Sequence, residues 1–161
     1  MGDYGYSTII VSDEAASLDG LVNVASALGE SVAVVDTEEA FRSLYGPHVR
    51  CVVLEVYLPD SSCLGIIRHL GHNEYRGALV FSADPRTALN ALCMARRLAT
   101  GYGIAVVDTL VKPLDPEQLL ETLIEATDPA VVKRLRAEIL EPAAPASTAM
   151  HYRKLGVSGS C

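Results

Sequence analysis

Five short apolar runs, each rich in β-branched residues and each followed by a stretch of helical spacing, most narrow what this chain can become. They are residues 7–11 (STIIV), 31–35 (SVAVV), 50–56 (RCVVLEV), 78–81 (ALVF) and 104–111 (IAVVDTLV). A run of this length bounded by turn residues predicts a buried strand. Between the first two, Leu18, Leu21, Val22, Val24, Ala25 and Leu28 fall near helical spacing, with Gly29 as a stop. Thr37 ahead of Glu38 and Glu39 predicts a cap and an acidic first turn for a short helix to Leu44. Further helices are predicted at 62–70, at 86–100 and at 115–126. Strand and helix in strict alternation predict an α/β fold, a doubly wound (βα)5 arrangement of three layers whose parallel sheet is covered on both faces. An extra C-terminal helix is expected from 128, with Val131, Val132, Leu135 and Ile139 on one side. The expected organisation is a domain over 1–127, that helix over 128–141, and a linker or tail over 142–161 that opens with Pro142 and Pro145.

The chain has 161 residues, half of them apolar and a fifth charged, enough for one ordinary core. A net charge of −7 argues against a nucleic-acid surface, which needs a basic footprint. No run approaches the roughly 18 apolar residues of a membrane span, and the N-terminus lacks the pattern of a signal peptide. Cys51, Cys63, Cys93 and Cys161 are scattered without paired spacing. They read as buried reduced thiols, and with the missing leader they predict a cytoplasmic setting. His48, His69, His72 and His151 show no ligand spacing and read as surface residues, as does the pair Arg96-Arg97 on the long helix.

In a parallel sheet, ligands sit beyond the carboxyl ends of the strands. Those ends carry Ser12-Asp13-Glu14 after the first, Glu55 on the third, Ser82 after the fourth and Lys112-Pro113 after the fifth. Acids, a hydroxyl and a lysine on one rim suit a hard cation or a phosphoryl group. Taken singly, each is more simply a solvated loop residue or a strand cap.

At these positions the sequence resembles the receiver domains of two-component response regulators. The motifs are IIVSDE (9–14), LEVYLPD (54–60), VFSAD (80–84) and LVKPLDP (110–116), and the resemblance covers about residues 7–126. It implies a receiver or flavodoxin-like sheet with an acidic pocket that, in the family, binds Mg²⁺ and accepts phosphate on an aspartate. The family's acceptor falls on Glu55, its acidic pair on Ser12 and Asp13 with Glu14 following, its hydroxyl on Ser82 and its cation on Lys112. The aromatic switch position falls on Thr109, and a glycine common in the third loop falls on Cys63. The long helix at 86–100 is similar to that of receivers attached to EAL-type phosphodiesterase domains.

Glutamate carries one methylene more than aspartate, so the Glu55 carboxylate is expected to reach toward Ser82 and Lys112. There it fills the space a phosphoryl group needs. An ion pair between Glu55 and Lys112 follows as an expectation, and Mg²⁺ at Asp13 and Glu55 is expected to be weak or absent. The leading expectation is a bacterial pseudo-receiver that is not an enzyme and works by protein–protein interaction. Its partner would be a sensor kinase or an output domain, and a homodimer could form through the helices at 86–100 and 115–126 with the strand at 104–111. The rival is a working receiver that uses Mg²⁺ and accepts phosphate on Asp13 or Asp60. A small α/β enzyme is a third reading, weakened by the lack of a nucleophile elbow or a Gly-rich phosphate loop.

Overall fold

Strand β1 (Thr8–Val11) lies inside the sheet, with β2 (Val32–Val35) at the edge on one side and β3 (Cys51–Glu55), the central strand, on the other. In the computed structural model, which describes residues 5–13, 22, 23, 26, 29, 31–58, 61–86 and 88–140, all pairings in this sheet are parallel. Two further strands, β6 (Ala78–Ala83) and β7 (Ala105–Val111), complete the order β2-β1-β3-β6-β7. Between β3 and β6, β4 (Tyr57–Leu58) and β5 (Ser61–Ser62) form a small antiparallel pair. The sequence reading missed this pair, which is too short to show a period.

The helices among the described residues are α1 (Glu38–Leu44), α2 (Cys63–His72), α3 (Leu89–Gly101), α4 (Pro116–Ala126) and α5 (Pro129–Leu140). The helix predicted at 15–29 falls largely outside the described residues, and so does the tail from 142. Two starts carry the caps the sequence promised. Thr37 Oγ1 accepts from the Ala40 amide at 3.1 Å, and Asp115 accepts from the Glu117 amide at 3.2 Å with Pro116 in the first turn. Helix α3 begins at Leu89, three residues later than expected, behind an Asp84–Arg86 turn in which Asp84 accepts the Arg86 amide at 2.8 Å.

The alternation of β3 explains the layers. Val52 and Leu54 join Phe41, Ile66, Ile67, Leu70, Leu92 and Ala95 on one face. Cys51 and Val53 join Leu119, Leu123 and Val132 on the other. Every residue of β3 is buried, as expected for a parallel strand inside a three-layer fold. At the amino end of β6, Gly77 passes so close to the Arg50 carbonyl and the Tyr75 ring that a Cβ there would collide with both.

Strand β7 departs from regular pairing. Leu79 opposes Val106 but Val80 opposes Asp108, so Val107 is an extra residue and the strand is bulged. The Asp108 carboxylate accepts the Thr109 amide at 2.8 Å, which satisfies a donor that the irregular ladder would otherwise leave short.

Candidate functional site

The carboxyl ends of β1, β3, β6 and β7 bring Asp13, Glu55, Ser82 and Lys112 to one rim. Glu55 is the last residue of β3 and sits opposite Ser82 in the register. The Val56 amide donates to the Ser82 carbonyl at 2.9 Å, and the Lys112 amide to the Ala83 carbonyl at 2.9 Å. These bonds extend the ladder past the strand ends and fix where both side chains begin. The Lys112–Pro113 peptide bond is cis. Strand β6 runs to Ala83, beyond the predicted end at Phe81, so Ser82 lies inside the sheet and is buried.

The Glu55 carboxylate is engaged at both oxygens. Oε1 pairs with Lys112 Nζ, and Oε2 accepts the Asp13 amide at 3.1 Å. The side chains of Glu55 and Lys112 are only 5% and 9% exposed, whereas that of Asp13 is 40% exposed and its Oδ1 lies 3.5 Å from Lys112 Nζ. Ser12 is buried beneath this cluster, and its amide donates to the Val35 carbonyl at 2.9 Å. Glu14 and Asp60 lie outside the described residues.

A nucleophilic carboxylate needs room in front of the attacking oxygen. Here both oxygens of Glu55 face donors, and the ammonium occupies the space ahead of Oε1. The same arrangement bears on metal binding. Mg²⁺ demands near-octahedral oxygen ligation. Among the described residues, no group of three or more His, Cys, Asp or Glu side chains is placed to hold a metal ion. Mg²⁺ is commonly held by one or two carboxylates with waters, and among the described residues Asp13 and Glu55 would hold it, each in competition with the Lys112 ammonium.

Two readings of single residues change. Arg96 was expected on a solvated helix face, but it is 4% exposed, and its Nη1 donates to Thr109 Oγ1 at 2.6 Å. The β7 bulge turns Thr109 toward α3, and the guanidinium is drawn under the helix to meet it. Thr109 therefore carries a short hydroxyl tied to an arginine. The only hint in the sequence was Asp108, a charged residue inside an otherwise apolar strand. The second change concerns the cysteines. Cys51 and Cys63 are free and buried, but Cys93 is disulfide-bonded, with its partner outside the described residues. Cys93 sits part-exposed on α3, so the expectation of a buried reduced thiol does not hold there. Burial pushes the Cys63 thiol up to about 11, which keeps it protonated and inert.

No protein-family model matches the sequence. The receiver domain of NtrX from Brucella abortus superposes with a TM-score of 0.60 at 17% identity, covering 75% of this chain and 98% of that one. A CheY-like response regulator receiver domain protein from Methanospirillum hungatei gives 0.63 at 16% identity, over 83% and 98%. The fold is that of the response-regulator receiver domains. In sequence, the transcriptional regulatory protein CitB of Klebsiella pneumoniae is 28% identical over 122 residues. The match covers 73% of this chain and 48% of CitB, so the chain spans about half the length of that curated relative. Among the described residues no helix is long and apolar enough to cross a membrane.

Proposed function

We propose that this chain is a pseudo-receiver, a signalling module that binds a protein partner without taking up phosphate. The observation that carries the reading is the Glu55 carboxylate, held by Lys112 at one oxygen and by the Asp13 amide at the other. In a receiver fold, a cation at this position suits an incoming phosphoryl group. Here the same cation is already paired from within the chain, which supports a pocket held in one arrangement. The partner would be a sensor kinase or an output domain. Mg²⁺ binding would be weak or absent, because Ser12 supplies no charge and Lys112 competes for both carboxylates.

Incubation of the full chain with acetyl phosphate and Mg²⁺, followed by intact-mass measurement, tests this reading. No mass gain is expected. The variant carrying Ser12→Asp with Glu55→Asp, which shortens the acceptor side chain and returns the missing acid, serves as the comparison. A gain of one phosphoryl group on the unaltered chain would overturn the proposal. Loss of that gain in Asp13→Asn or Asp60→Asn would identify the substitute acceptor.

A further inference from the structure

A cavity of about 690 Å³ opens at the amino ends of β3 and β6, at the far end of the sheet from Glu55 and Lys112. Its volume is that of a small-molecule site. Helix α5 forms one wall, and the turns that lead into β3 and β6 form the other. The walls are mostly apolar and include Val49 and Val132, both buried.

The charges on this frame are lopsided. Arg50 and Arg76 reach it from the two turns, and Lys133 and Arg136, three residues apart on one face of α5, reach it from the helix. Among the described residues, Glu74 is the one acidic side chain that lines it. Among the described residues, four cationic side chains thus line the cavity of a chain whose net charge is −7. Among the described residues neither Arg76 nor Lys133 is in an ion pair, and the side chain of Arg136 bonds only the Gly103 carbonyl, through Nε at 3.4 Å. A concave wall of one sign in a low-dielectric frame concentrates counter-ions.

Glu74 has a second peculiarity. Its φ is +53°, in the left-handed region that favours glycine. It closes α2, with its amide donating to Gly71 and the Tyr75 amide donating back to Leu70, at 3.1 and 3.0 Å. Glycine would close this turn without strain, so the turn alone does not call for a carboxylate. A strained side chain that persists is a pointer to use.

We infer that this cavity binds a small organic anion, a carboxylate or phosphate carried on a flat or branched apolar body. The cations take the anionic group and the apolar walls take the body, while Glu74 accepts from a donor on the ligand. Such a ligand bridges α5 to the turns before β3 and β6, so it would fix the angle at which the chain leaves Leu140. The site is independent of the pocket at Glu55, and it stands or falls separately from the pseudo-receiver reading.

The aromatic sulfonate 8-anilinonaphthalene-1-sulfonate has this chemistry and serves as the probe, titrated by fluorescence into the folded full chain. Saturable one-to-one binding is expected. Arg76→Glu with Arg136→Glu should weaken it at least tenfold, and so should Ala137→Trp, which fills the cavity from an exposed position on α5. The second variant keeps the test open if the charge reversal does not fold. Met94→Asp, on the exposed face of α3, should leave it unchanged. Equal affinity in the cavity variants, or weakening by Met94→Asp, would overturn the inference. So would a tenfold gain on removal of residues 141–161, because the chain itself would then be the occupant.

Discussion

Glu55 and Lys112 face each other almost without solvent, and that decides how their loss should read. An exposed pair contributes little, because water and side-chain entropy oppose it. Removing one member of a buried pair strands the other in a poor medium at a cost of about 3–5 kcal/mol. Lys112→Met is therefore expected to lower stability by about that much in urea unfolding, whereas Lys133→Met, on the exposed side of α5, should stay within about 0.5 kcal/mol. The cycle of Glu55→Gln and Lys112→Met should show coupling, since contacting residues are not additive. Zero coupling would mean that the pair does not hold the pocket. A second residue sets a pH dependence. His69 packs edge-on against Phe41 and Tyr45, and burial followed by the nearby Arg42 charge lowers its pKa below the usual histidine value, against a smaller opposing pull from Glu38. The unfolded chain then binds the proton more readily than the folded one, so the contribution of His69 is present above the ordinary histidine pKa and is lost as pH falls through it. His69→Gln should flatten the fall in Tm between pH 7.5 and 5, and an unchanged slope would assign that fall to other groups. The pocket residues were legible because strand ends are marked by sequence. The reach of Glu55 followed from one methylene. Its bond to the Asp13 amide did not, since a backbone donor leaves no trace in residue identity.

Among the elements, α3 and β7 are joined by the Arg96–Thr109 bond, and this join is the least expected part of the fold. A guanidinium at 4% exposure needs its acceptors. Thr109→Val keeps the shape and removes one, so a loss of about 1–3 kcal/mol is expected in thermal or urea unfolding. Backbone amides of α3 should exchange faster with solvent in the same variant. If stability stays within about 0.5 kcal/mol of the parent, the bond is incidental to the packing. The strands themselves were readable to within one or two residues because apolar runs of this length have few other uses in a chain so rich in Val and Ile. Helix α4 was readable from Asp115 and Pro116. Arg96 was not, because helical spacing places it beside Arg97 and a solvated pair is the ordinary outcome; its burial depends on the bulge in a strand nearer the C-terminus.

At the scale of the whole molecule, four of the six described large apolar side chains that are more than two-fifths exposed fall on three elements, the other two being Tyr57 and Leu140. Leu89 and Met94 on α3, Val111 on β7 and Ile124 on α4 are each more than two-fifths exposed. These three elements make the face through which a homodimer was anticipated from the resemblance. We expect weak, concentration-dependent self-association in sedimentation velocity that is reduced by Met94→Glu with Ile124→Glu. A single species at all concentrations would leave this face to a different protein. Because β7 carries one residue more than its neighbour, the chain beyond Val107 is out of phase with the chain before it. Val107 and Leu110, three apart, pack on the same side of the sheet, where a regular strand would set them on opposite sides. The direction in which Lys112 points is thus a matter of parity. An odd number of residues gained or lost between Ala105 and Lys112 would send the ammonium to the wrong side, while an even number would change only the length of the strand.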